Sequence, residues 1–147
     1  MQYILFICIM VLVDQYTKHI AIHRFKKRKV DLMNGKIQLI YVENYGVAFN
    51  LYSHKRKRLI FFNSICMIIL AIILYNCVYV DRNLQLATGI SLMIGGGLGN
   101  LVDRVRQGYV VDFLYFNIKK WPVFNLADFF VFAGAIILML GGGIVAF

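Results

Sequence analysis

Four runs of mostly apolar residues, each close to the length that crosses a bilayer, limit what this chain can become. They are roughly Met1 to Ile22, Leu59 to Val80, Leu84 to Val102 and Leu126 to Phe147. A spanning helix needs about 20 such residues. In lipid it must also satisfy every backbone N–H and C=O within itself. Four transmembrane helices are therefore predicted, in a membrane protein of mainly α class. The composition agrees, at 61% hydrophobic and 16% charged. A soluble domain is about half apolar and about a quarter charged. With 147 residues, one domain covering 1–147 is expected. The first run has no basic N-terminal region and no small-residue cleavage site, so it is read as a retained span rather than a leader.

The connections are unequal. Residues 81–83 allow only a tight helix–helix turn. Residues 30–57 form the one sizeable extramembrane piece, and KIQLIYVENYGVAFNLY within it alternates and is rich in Ile, Val, Tyr and Phe. A small β-rich element near the membrane surface is predicted there, with Asn34-Gly35 as a turn. Pro122 is expected just before the fourth span, and Trp121 suits the interfacial belt. The glycines of GISLMIGGGLGN in the third span allow close helix approach and also invite a break. Gly141, Gly142 and Gly143 suggest similar packing in the fourth. Cys8, Cys66 and Cys77 lie inside the spans without metal or redox spacing, and are read as buried small apolar side chains.

Net charge is +9, and it is distributed unevenly. Region 14–58 holds eleven Lys and Arg, region 102–126 holds Arg104, Arg106, Lys119 and Lys120, and the other side holds only Arg82. By the positive-inside rule the side with the long loops should be cytoplasmic. The runs Lys26–Lys29 and Lys55–Arg58 flank spans, so they suit anionic lipid headgroups rather than nucleic acid. Membrane lipids are expected partners.

Ionisable groups at membrane depth need a reason. Of the seven acidic residues, Asp31 and Asp81 sit in loops, and Glu43 lies in the strand-like segment. Asp14, Asp103, Asp112 and Asp128 all fall at span ends on one side of the membrane. Asp14 and Lys18 are i and i+4 and share a helix face, as do Asn100 and Arg104. Asn125 and Asp128 have the spacing of a helix capping box. The result is a polar layer at one interface. Two close carboxyls share a proton, and one can then act as general base on water and the other as general acid. Spacing leaves several pairs open among the four aspartates. No metal site and no cofactor is expected: His19, His23 and His54 lie in the basic region, far in sequence from the carboxylates, and Ser53 beside His54 is not a catalytic arrangement.

DQYTK at 14–18, NYGVAF at 44–49, GNLVDRVRQGYVVDF at 99–113 and FNLAD at 124–128 occur in this order between the spans. Together they resemble the bacterial lipoprotein signal peptidases, the signal peptidase II family, over nearly the whole chain. The resemblance implies a membrane-embedded aspartyl endopeptidase. It would remove signal peptides from lipid-modified prolipoproteins, cutting before the diacylglyceryl-modified cysteine. It implies Asp112 and Asp128 as the catalytic dyad. Asp14, Lys18, Asn44, Gly46, Asn100, Arg104 and Asn125 would support the dyad or bind substrate, with Arg104 and Asn44 holding peptide carbonyls and Asp14 orienting its neighbours. It also implies a multi-pass protein, expected to be monomeric, in the bacterial cytoplasmic membrane with its site toward the outer face. That orientation opposes the one drawn from Lys and Arg. The second motif departs from the family's NTGAAF at Tyr45 and Val47, which are expected to reshape the pocket edge. A rival reading is a non-catalytic membrane protein that binds or transports a lipid or ion through the same charged layer. It expects Arg104 and Lys18 to matter most.

Overall fold

The computed structural model describes residues 1–46, 56–119 and 121–142. Helix α1 runs Gln2–Ile20 and continues through one π turn, Ala21–Phe25. Strands β1, Val30–Leu32, and β2, Ile37–Asn44, follow. Then come α2, Arg56–Tyr79, α3, Leu84–Arg106, β3, Val110–Phe116, β4, Val123–Phe124, and α4, Leu126–Gly142. The first three helices are long and apolar enough to cross a membrane. In the fourth, 17 residues are described; residues 143–147 of the expected span lie outside the described residues.

The third span ends later than expected. The helix passes through Asp103 and Arg104 and stops at Arg106, because Asp103 finds buried partners that a lipid-exposed charge would lack. The glycine run does not break it. Instead each glycine receives a different neighbour. A Cβ at Gly95 would meet Met10 of α1, one at Gly96 would meet Ala127 and Val131 of α4, and one at Gly97 would meet Met67 of α2. Without side chains there, three helices approach α3 closely, which is how helices associate when lipid removes the hydrophobic driving force. Gly141 likewise sits against Gln85 and Leu86. At the far end Asn83 caps α3, its side chain accepting the Leu86 N–H at 3.0 Å.

The four strands form one antiparallel sheet in the order β1-β2-β3-β4. The β1–β2 turn uses Asn34 at φ 56° and Gly35 at φ 82°, as the dipeptide predicted. The expected element reached 57, but its described strands end at Asn44, residues 47–55 lie outside the described residues, and Arg56 and Lys57 already belong to α2. The sheet is instead completed from the third loop. Val42 faces Asp112 and Asn44 faces Val110 across β2 and β3. Val110, Val111, Asp112 and Phe113 are all buried, so this strand is covered on both faces and shows no alternation. Cys77 is buried as expected; Cys8 and Cys66 are exposed instead.

Candidate active site

Lys18 lies at the bottom of the site. It is 2% exposed and its ammonium has three protons to place. The Nζ meets Asp14 Oδ2 at 2.8 Å, Asp103 Oδ2 at 3.0 Å and Asn100 Oδ1 at 2.9 Å. All three donors are therefore spent on the protein, as a buried ammonium requires. The two carboxylates in turn hold backbone. Asp14 Oδ1 accepts the Ala127 N–H at 3.0 Å, and Asp103 Oδ2 accepts the Val111 N–H at 3.1 Å. Ala127 precedes Asp128, and Val111 precedes Asp112. The α1–α3 ion cluster thus fixes the backbone beside each of the two remaining aspartates. Gln15 completes it, donating to Asp103 Oδ1 at 2.9 Å and to the Gly99 carbonyl at 3.1 Å.

The upper layer is made of amides. Asn125 Nδ2 donates to Asp112 Oδ1 at 2.7 Å and to Asn100 Oδ1 at 3.1 Å. Asn44 Nδ2 donates to Asp112 Oδ2 at 2.9 Å. Asn100 Nδ2 donates to Asp128 Oδ1 at 3.0 Å. Asn125 and Asp128 also form the capping box at the start of α4: the Asn125 N–H meets Asp128 Oδ2 and the Asp128 N–H meets Asn125 Oδ1, both at 3.0 Å. The capping arrangement and the site use the same two residues. Gly46 N–H donates to Asn44 Oδ1 at 3.1 Å, so the carbonyl end of that amide is occupied and its NH2 must face Asp112.

Asp112 and Asp128 open onto a cavity of about 460 Å³. Its floor is α3, through Met93, Gly97, Asn100 and Arg104. One wall is α2, with Asn63, Cys66, Met67 and Leu70, and the other is α4, with Val131 and Phe132, joined by Phe124 of β4. Burial pushes the Asp112 carboxyl up to about 6; the Asp128 charge adds to this, while the Asn44 and Asn125 amides and Lys18 pull it back. Arg104 lines the same cavity, with its Nη1 3.4 Å from the Asn100 carbonyl.

All nine residues singled out from the sequence lie in this network or line its cavity. Asn44, expected to hold a substrate carbonyl, places one of its two amide N–H donors on Asp112. Asp103 entered only as one of the four aspartates of the polar layer and Gln15 not at all, yet both tie the site together; the position of Gln15 within DQYTK, three residues before Lys18, is the signal for it. Tyr45 turns away from the cavity: its hydroxyl donates to Glu43 at 2.6 Å and its ring lies 5.3 Å from that of Tyr109. Hydrogen bonds from Tyr45 and Tyr41 hold the Glu43 carboxyl below its usual value. Val47, Ser53 and His54 lie outside the described residues.

The family model described as signal peptidase (SPase) II matches residues 6–142. A lipoprotein signal peptidase of Caldicellulosiruptor bescii is 40% identical over 138 residues, 94% of this chain and 88% of that protein. One from Moorella thermoacetica is 38% identical over 141 residues, 94% of this chain and 90% of that protein. A bacterial membrane enzyme solved by the in meso method at 2.3 Å superposes with a TM-score of 0.84 and 30% identity, covering 95% of this chain and 86% of that one. The motifs, the helix-and-sheet architecture and these matches agree: the chain belongs to the signal peptidase II family, a family of membrane aspartic proteases.

Proposed function

We propose that this single-domain chain removes signal peptides from prolipoproteins by a two-carboxylate mechanism in which Asp112 and Asp128 are the catalytic pair. The observation that carries the reading is the shared amide layer. Asn125 touches both carboxyls, Asn44 holds Asp112, Asn100 holds Asp128, and both carboxyls line the same cavity. Burial favours a proton on Asp112, so Asp128 is the base. It takes a proton from water as the water oxygen attacks the scissile carbonyl carbon. Asp112 gives its proton to the carbonyl oxygen. The carbonyl then re-forms as the diol returns a proton to Asp112, the C–N bond breaks, and the departing nitrogen takes the proton held by Asp128, which restores the pair.

The family's substrate fits the cavity's position. The opening between α2 and α4 faces the side of the bundle, so a signal segment and a diacylglyceryl group can reach the carboxyls without leaving the bilayer. The cut falls before the lipid-modified cysteine. The exposed runs near Lys26–Lys29 and at Lys57 and Arg58 contact lipid headgroups, and the protein acts as a monomer. It sits in the cytoplasmic membrane with this site toward the outer face. The Lys and Arg distribution argues the reverse, but three of those cations are not free loop charges. Lys18 is buried, Arg104 lines the cavity, and Arg56 donates to the Arg104 and Val105 carbonyls at 3.0 and 2.7 Å. The lipid- or ion-binding alternative finds no support among the relatives. Physically it also suffers from a Lys18 with no donor left for a headgroup.

The test is incubation of the purified protein with a diacylglyceryl-modified prolipoprotein, read by mass. A product pair split before the modified cysteine is expected. An intact precursor under conditions where the protein is folded refutes the reading.

A further inference from the structure

Besides Arg104 on its floor, the cavity has a polar residue on the α2 wall that the mechanism leaves idle. Asn63 faces it from α2, beside Cys66, Met67 and Leu70. The other two amides in the cavity, Asn44 and Asn100, are committed to Asp112 and Asp128. Among the described residues, no group hydrogen-bonds the Asn63 side chain. Its depth is fixed by helix packing. Met67 sits over Gly97, and α2 and α3 are antiparallel neighbours joined by a short turn. With equal rise per residue, Asn63 lies level with Leu101, next to Asn100. It therefore stands across the groove at the depth of the amide that holds Asp128.

A substrate creates a need at that point. A peptide bond can be attacked only where the chain has left its helix. In an apolar groove an unwound stretch exposes N–H and C=O groups that lipid cannot satisfy, at a cost of several kcal/mol each. An asparagine side chain offers a donor and an acceptor together, which matches a peptide group. The ester groups of a diacylglyceryl chain only accept, so a hydroxyl or a cation would serve them equally well. We propose that Asn63 is a substrate-positioning residue whose amide hydrogen-bonds one peptide group of the unwound end of the signal segment, opposite Asp128.

This rests on the dyad reading, and the experiment separates the two. Wild type and Asn63→Leu, which keeps the side-chain size, are compared on a lipidated precursor peptide and on a series in which single amides before the scissile bond are replaced by esters. Wild-type and Asp112→Asn cleavage of the all-amide peptide tests the dyad reading separately. Asn63→Leu is expected to lose roughly tenfold in kcat/KM on that peptide, the size of one hydrogen bond in a dry site. It is expected to lose nothing further on one member of the ester series, because that substrate already lacks the N–H. Equal activity of the variant on the all-amide peptide overturns the proposal. So does the same loss on every ester peptide, which would mean that the substitution acts through the fold. Unchanged unfolding of Asn63→Leu in micelles is the accompanying control.

Discussion

Replacing Lys18 by methionine removes one charge of a buried trio and leaves the other two facing each other. Asp14 and Lys18 are 0% and 2% exposed and Asp103 is 4% exposed, so water cannot replace the lost ammonium. Removing one partner of a buried ion pair costs about 3 to 5 kcal/mol, and here two carboxylates lose the same partner. The loss should therefore lie at the top of that range. The companion variant carries Lys18→Met with Asp14→Asn and Asp103→Asn. Each new amide keeps an oxygen for the Ala127 or Val111 N–H, and no buried charge remains. Unfolding in mixed micelles should show Lys18→Met destabilised by about 4 to 5 kcal/mol and the triple variant close to wild type. Activity should return only in part, because Asn100 Oδ1 keeps the Asn125 donor but loses the Lys18 donor that helps turn its NH2 toward Asp128. A single variant as stable as wild type would refute the reasoning, as would a triple variant no more stable than the single one.

Other outcomes follow from the same contacts. Gly99→Ala places a methyl 2.5 Å from Asp14 Oδ2, so it should displace the ion cluster and destabilise the protein by about 1 to 3 kcal/mol, measured in the same micelles. The alkaline limb of the kcat/KM profile should be centred near pH 6, where Asp112 loses the proton it must give. Asn44→Leu removes a donor to the charged form and should move that limb to higher pH. Because the folded-state value of Asp112 is raised above 3.8, folding binds a proton. Its contribution to stability is full below about pH 4 and is lost as pH rises through about 6. Asp112→Asn should remove this slope from the unfolding free energy against pH.

Much of the architecture was legible because lipid makes strict demands. Runs of about 20 apolar residues have few other folds available, and Asn34-Gly35 with its alternating flanks fits a hairpin. The third strand was not legible, since VVDFLYF is buried on both faces in its first half and lacks the period of two that marks a half-exposed strand. The end of α3 was misjudged for a related reason. Asp103 and Arg104 look like a helix exit until Lys18, 85 residues before Asp103 in sequence, is seen beside Asp103. Long-range pairing of this kind leaves no local trace. The polar layer could be inferred from charges at span ends, and the choice of Asp112 and Asp128 within it came from the resemblance. The geometry adds that Asp14 and Asp103 are already engaged with Lys18 and with backbone, which leaves the other two facing the cavity.

The central claim is that Asp112 and Asp128 together hydrolyse the bond. It is tested most directly by cleavage of a diacylglyceryl-modified prolipoprotein by wild type, Asp112→Asn and Asp128→Asn in the same lipid, each shown to be folded by its unfolding transition. An amide keeps the hydrogen-bonding shape but can neither take up nor release the catalytic proton. Each variant should therefore lose at least about a thousandfold in turnover. A folded variant of either kind that retained turnover near wild type would contradict the account.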